Sequence, residues 1–129
     1  MSPLTDVGRD DFASAIIGVA FTKFDNANAH LGVGDSATAF TKGQTDLQAG
    51  ANKFRRPMEA TFPDVPSAAN ILRFRALFGT SEANFAWLEW GIFAALAAGV
   101  MLSRKVENLG TKTSAQSFQL TVTITVNNP

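Results

Sequence analysis

The sequence predicts an α+β domain that is mainly antiparallel β-sheet, sandwich-like, with one or two short helices. Three observations carry that expectation. Phe118, Leu120, Val122, Ile124 and Val126 alternate with Gln119, Thr121, Thr123 and Thr125, the period-two pattern of a half-buried strand rich in β-branched residues. Residues 85–107 read as a β-hairpin, apolar on both faces, with a single acid, Glu89, before the basic pair Arg104-Lys105. The chain has 129 residues, 46% hydrophobic and 17% charged, enough for one domain with a sizeable core.

Taken in order, residues 1–8 read as a flexible arm with Pro3 early, the first part of a single domain spanning 1–129. Asp10 or Asp11 can cap a helix beginning near Phe12, because a short acid accepts free backbone N–H groups and complements the helix dipole. Phe12, Ile16, Val19 and Ala20 recur at helical spacing, although residues 16–21 also fit a strand. Asp25 to Asn28 is turn chemistry. His30 to Ser36 reads as a strand end turning sharply, with positive φ expected at Gly32 or Gly34. From Thr41 to Phe54 the pattern suggests a short helix with Thr45 as its cap and Leu47, Ala51 and Phe54 on one face. Glu59 to Phe62 reads as a short strand, and Pro63, Pro66 and Ser67 as a loop. Ile71 to Phe78 alternates, with Leu72, Phe74, Ala76 and Phe78 inward.

In the hairpin, Ala86, Leu88, Trp90 and Ile92 share one face of the first strand. Phe85, Trp87, Glu89, Gly91 and Phe93 share the other, Ala95 to Gly99 form the loop, and Val100 to Glu107 return. A strand apolar on both faces must be covered on both sides. Trp87 and Phe93 are therefore covered either by the domain itself or by another chain, since large aromatics are enriched at interfaces. The stretch Phe85 to Leu102 is also just long enough to raise a membrane span, and a small single-span membrane protein is the alternative to a soluble sheet. Glu89 within it opposes that alternative, since an acid at mid-span costs roughly 2.5–3.5 kcal/mol.

Composition excludes several function classes. Lys+Arg and Asp+Glu both number 11, so there is no electrostatic case for nucleic acid. There is no cysteine and one histidine, which removes thiolate chemistry and most zinc sites. Gly32-Val33-Gly34 lacks the third glycine of a dinucleotide fingerprint. No catalytic residue, cofactor or metal is expected. His30 reads as a structural residue, Asp35 with Ser36 as a turn cap. Glu89, flanked by Leu88 and Trp90, is costly to bury unless paired; Arg73, Arg75 and Arg104 are its candidate partners in a structural ion pair, and a catalytic acid is the competing role. Lys53 to Arg56 is a small basic cluster, in which Arg55 and Arg56 suit a solvated end or an ion pair with a neighbouring subunit. Trp87, Phe93, Arg55 and Arg56 are the candidate interface residues.

The order of these features resembles small structural proteins of tailed bacteriophages and, more distantly, the N-terminal domain of phage tail-collar fibre proteins. Gly32, Gly34 and Asp35, then Gln44, Thr45 and Leu47, then Glu89, Gly91 and Phe93 match the progression that those domains share. The resemblance covers roughly Asn28 to Val126. It implies a non-enzymatic virion protein, assembled in the host cytoplasm, that binds itself and other virion proteins such as major capsid or neck and tail proteins. Trimers are common in such roles. The chain stops at Pro129, without the long shaft of a fibre, which favours a capsid decoration or cement protein, or a neck, collar or fibre-attachment piece.

Overall fold

In a computed structural model, which describes residues 3–66 and 70–126, one helix and six strands follow one another along the chain. They are α1 (Asp6–Ile17), β1 (His30–Gly34), β2 (Lys53–Pro57), β3 (Ile71–Phe78), β4 (Ala86–Phe93), β5 (Met101–Thr111) and β6 (Phe118–Thr125). All pairings are antiparallel: a four-stranded sheet of order β2-β1-β4-β5, and a two-stranded sheet of order β3-β6. The inner faces of both sheets form the main core, which includes Leu31, Val33, Trp90 and Ile92 from the larger sheet and Phe74, Ala76, Phe78, Leu120, Val122 and Ile124 from the smaller. The expected α+β, sandwich-like class is the observed one.

The strands with clean alternation form as expected. In β3 the buried positions are Phe74, Ala76 and Phe78, and in β6 Leu120, Val122 and Ile124, with the threonines turned outward. The hairpin also forms. Ala94 donates its N–H to the Val100 carbonyl (3.0 Å), and left-handed backbone at Ala98 and Gly99 turns the loop. Residues 85–102 are thus two strands and a turn, which overturns the membrane-span alternative; among the described residues no helix is long and apolar enough to cross a membrane.

Several expectations are corrected. The arm expected over 1–8 is docked from Leu4 onward. Leu4 bridges Ser103 on the edge of β5, and the Thr5 N–H donates to the Leu102 carbonyl (3.1 Å). Met1 and Ser2 lie outside the described residues. Thr5, not Asp10 or Asp11, caps the helix: its hydroxyl is fully buried and accepts from the Gly8 N–H. Gly8 is there because a Cβ would run into the Leu102 carbonyl where the helix crosses β5. The helix ends at Gly18, which takes the left-handed conformation that glycine tolerates (φ 75°). The expected apolar face is buried only at its start: Phe12 packs on the core, but Ile16 is 85% exposed and Val19, beyond the helix, 52%.

No helix forms between Thr41 and Phe54. Residues 35–52 are a loop without regular structure, and Lys53–Pro57 is a strand paired to β1. The strand expected at Glu59 to Phe62 is instead a turn beside the outer edge of β3, where the Glu59 N–H donates to the Arg75 carbonyl (2.9 Å). Of the loop expected after it, Ser67 lies outside the described residues.

The last correction concerns faces. The pairing of β4 with β5 passes from Trp87↔Gly110 to Glu89↔Val106, so Leu88 alone stands opposite Glu107, Asn108 and Leu109. This bulge breaks the alternation. Trp87 consequently joins Trp90 and Ile92 in the main core, edge-on to Phe78 (4.8 Å between centroids) and Phe118 (5.1 Å), with its indole N–H donating to the Ala83 carbonyl. Phe93 faces the other way, into a small second core with Leu47 and Met101.

Candidate functional site

The second face of β4 leads to the most unusual chemistry in the molecule. Glu89 has no solvent exposure, nor has Arg104 on the neighbouring strand. Gly91 pairs with Arg104 across β4 and β5, which sets the arginine diagonally beside the acid. Its Nε donates to Glu89 Oε1 at 2.8 Å.

The loop of residues 35–52 closes over this pair. The Gln48 N–H donates to Glu89 Oε1 (2.8 Å), and the Ala49 (2.9 Å) and Ser36 (3.3 Å) N–H groups donate to Oε2. Each carboxylate oxygen therefore accepts two hydrogen bonds, and the acceptor capacity of the group is filled. The remaining guanidinium nitrogens are also used: Nη1 donates to Gln44 Oε1 (3.1 Å) and Nη2 to the Thr38 carbonyl (2.9 Å). A charged pair removed from water in this way is tolerable because it is neutral in sum and fully bonded.

Two glycines make room for the closure. A Cβ on Gly34 would lie 2.6 Å from Glu89 Oε2, and one on Gly32 would lie 2.7 Å from the Phe93 ring. Neither has positive φ; the positive-φ glycines among the described residues are Gly18, Gly99 and Gly110. The reason for glycine in β1 is close approach, not a turn, and the expected conformation is corrected accordingly.

A second cluster lies against the first. Arg55 on β2 stacks on Phe93, its guanidinium carbon 3.5 Å from the ring centroid, a favourable cation–π geometry. Its Nη1 donates to the Ala95 (2.9 Å) and Ala98 (2.8 Å) carbonyls of the hairpin loop, and its Nη2 to Asp46 (3.3 Å). Asp46 also accepts from Lys53 (2.9 Å). Burial pushes the Asp46 carboxyl up, but the hydrogen bonds from Lys53, the Leu47 N–H and Arg55 outweigh it and hold the group below its ordinary value.

The sequence-derived candidates separate cleanly against this geometry. Of the three arginines considered for Glu89, Arg104 is the partner. Arg73 instead makes a two-point bond to Asp64 (2.9 and 2.7 Å), which holds that carboxyl low, and Arg75 bonds Thr121 and lies over the Phe62 ring. Trp87 is 1% exposed and Phe93 0%; the chain covers both rings itself, so neither presents surface to another subunit. Arg55 is nearly buried, while Arg56 stays partly exposed beside Glu82 (3.4 Å). His30 donates through Nδ1 to the Asn28 carbonyl, and Asp35 accepts from the Asn52 amide (2.8 Å). Among the described residues no group of three or more His, Cys, Asp or Glu side chains could hold a metal.

Sequence reasoning missed the backbone amides of Ser36, Gln48 and Ala49, and it named Gln44 only through the resemblance, not as a partner of Arg104. No signal could have identified the amides, since every residue but proline carries one. Gln44, Leu47, Gly32, Gly34, Glu89, Gly91 and Phe93, widely spaced in the chain, meet at this one place, with Asp35 at its rim; Thr45 is exposed. No protein-family model, curated protein or solved structure matches the chain.

Proposed function

We propose that the chain is a non-enzymatic structural protein of a tailed-bacteriophage virion. It binds itself and other virion proteins, as a capsid decoration or cement protein or as a neck, collar or fibre-attachment protein. One observation carries the reading. Nearly all the residues on which the phage resemblance rests converge on a single closed unit around Glu89 and Arg104, so they act together as one framework and not as unrelated coincidences. The carboxylate in that unit has neither exposure nor a free acceptor position for a substrate proton, which speaks for scaffold and against general acid chemistry.

The exposed apolar groups fit a protein that meets other proteins. Ile16, Ile17 and Val19 stand out at 85%, 75% and 52%, next to a groove of about 430 Å³ lined by Phe12, Phe21, Phe24 and Leu72. Leu96, on the hairpin loop, is 64% exposed. The test is reconstitution: purified chain added to particles that lack it cosediments with them. A chain that stays monomeric and leaves such particles bare refutes the proposal.

A further inference from the structure

Every sheet has edges, and this molecule treats its edges unequally. The outer edge of β2 carries Lys53, Arg55, Arg56 and Pro57; charges and proline discourage an incoming strand. The outer edge of β5 is bridged by Leu4 and bonded by Thr5, and the strand is irregular at two places. The outer edge of β3 is covered by residues 59–64, through the Glu59 N–H to the Arg75 carbonyl and the paired bonds of Asp64 with Arg73. Among the described residues the outer edge of β6 has none of these. Among the described residues β6 pairs with β3 alone, its register runs unbroken from Phe118 to Thr125, and it contains no charge and no proline.

The groups on that edge can be named. The Arg73 N–H and the Arg73 and Arg75 carbonyls bond away from β6, so in an antiparallel ladder the bonds between β3 and β6 run through the intervening pairs, Leu72–Ile124, Phe74–Val122 and Ala76–Leu120. The outward N–H and C=O groups of β6 therefore belong to Gln119, Thr121, Thr123 and Thr125. Beside the edge, the space between β6 and β5 opens as a cleft of about 330 Å³ lined by Trp87, Leu109, Phe118 and Leu120.

We propose that β6 pairs antiparallel with β6 of a second copy of this chain, across a two-fold axis at Val122. The proposal rests on the reading of the chain as an assembling part and names the surface it uses. In this register Thr121 faces the partner's Thr123 and Gln119 the partner's Thr125, so every outward backbone group on the edge gains a partner. Threonine faces threonine, a favourable cross-strand pair, and no like charges meet because β6 has none. On the inner face Leu120 meets the partner's Ile124, which continues the core from one copy to the next. The two-stranded sheet becomes four-stranded, and a two-stranded sheet is the marginal case. The absence of charge from β6 is what favours a second copy over a foreign strand: a strand lacking charge and placed on a two-fold axis is complementary to itself.

The experiment is sedimentation equilibrium of the full chain and two double variants. The wild type sediments as a dimer of the 13.7 kDa chain. T121E/T123E sets acid opposite acid between copies, while within one copy each new acid lies across from Arg75 or Arg73. The fold is preserved by circular dichroism, and dimerisation weakens at least about 30-fold. T121E/T123K sets acid opposite base between copies and restores the dimer. A wild type that is monomeric at about 100 μM, far above the Kd of a standard interface, or a T121E/T123E chain that associates as the wild type does, overturns the proposal. Particle binding measured on the same samples separates the two readings: a monomeric wild type that coats particles removes the β6 pairing and leaves the virion reading in place.

Discussion

Replacing Glu89 by glutamine changes almost no volume and removes one charge, so its effect isolates the bonding of the buried carboxylate. The two oxygens of Glu89 accept from Arg104 Nε and the Gln48 N–H on one side and from the Ala49 and Ser36 N–H groups on the other. An amide has one oxygen and one NH2. Whichever way it turns, its NH2 faces two donors, and both lose their acceptor. Each stranded buried donor costs about 1–3 kcal/mol, and a buried ion pair that loses one partner typically costs about 3–5 kcal/mol. These terms overlap, so we expect a total of about 4 kcal/mol. At a urea m-value of about 2 kcal/mol/M the midpoint falls by about 2 M. The assay is urea unfolding followed by the fluorescence of Trp87 and Trp90, both buried on the same strand as Glu89. Arg104→Met is the comparison. It leaves the carboxylate with three backbone donors, an arrangement that by itself stabilises the anion, so we expect it to cost less than Glu89→Gln. If Glu89→Gln costs under about 1 kcal/mol, a small effect for a buried group, or if Arg104→Met costs more, the argument from carboxylate bonding is wrong.

Other perturbations follow from the same geometry. Gly34→Ala drives a methyl into a carboxylate that four donors hold in place, and Gly32→Ala drives one into Phe93. Both lower stability by about 1–3 kcal/mol, Gly34→Ala by more, whereas Gly43→Ala and Gly50→Ala meet nothing and have no positive φ, so their thermal midpoints stay within a few degrees of the wild type. With pH, Asp46 and Asp64 both sit below their ordinary values in the folded state. Their contribution is present above the unfolded value of about pH 4 and is lost as the pH falls through the lower folded values; thermal melts of Asp46→Asn and Asp64→Asn should converge on the wild type in that acidic window. Asp11 has the opposite sign. Burial, with help from Asp10, raises its value, and one of its oxygens is buried without a partner. Its penalty sets in as the pH rises through about 4, so Asp11→Asn should raise the melting temperature at pH 7 and leave it unchanged at pH 3.

What the sequence disclosed and what it concealed divide along a physical line. Strands β3 and β6 were legible because a half-buried strand writes a period of two into its own residues, and the β4–β5 hairpin because two apolar runs flank a loop of small residues, Ala95 to Gly99. The short strand β2 was not, since Lys53–Pro57 is mostly exposed or half-buried and writes no apolar pattern. The helix expected over Thr41 to Phe54 had a local pattern in its favour, but the N–H groups of Gln48 and Ala49 are drawn to a carboxylate 40 or more residues away. A long-range acceptor outweighs a weak local preference. The bulge opposite Leu88, where Trp87 departs from the face of Glu89 and joins the core of Trp90, is equally silent in the sequence. Glu89 announced itself as an acid needing a partner, and Arg104 was one of three candidates; choosing among them required the register of the sheet.

A buried ion pair is in general a poor source of stability, because replacing both partners by apolar residues is often neutral or favourable. The pair in this molecule departs from that rule for a reason visible in its bonds. Three of the four donors to Glu89 are backbone N–H groups of residues 36–49, and that segment has no helix and no ladder of its own to satisfy them. The carboxylate stands where a neighbouring strand would otherwise supply acceptors, so it folds the loop as well as pairing the arginine. The consequence is measurable. In Glu89→Leu/Arg104→Met the charges vanish together, yet the three amides remain without an acceptor. At about 1 kcal/mol or more for each buried donor left unmade, the double variant should stay at least about 2 kcal/mol below the wild type, and hydrogen exchange at Gln48 and Ala49 should accelerate while that of β3 and β6 follows only the global loss. A double variant as stable as the wild type would make the pair a dispensable charge couple and return the ordering of residues 36–49 to the apolar contact of Leu47 with Phe93 and Met101.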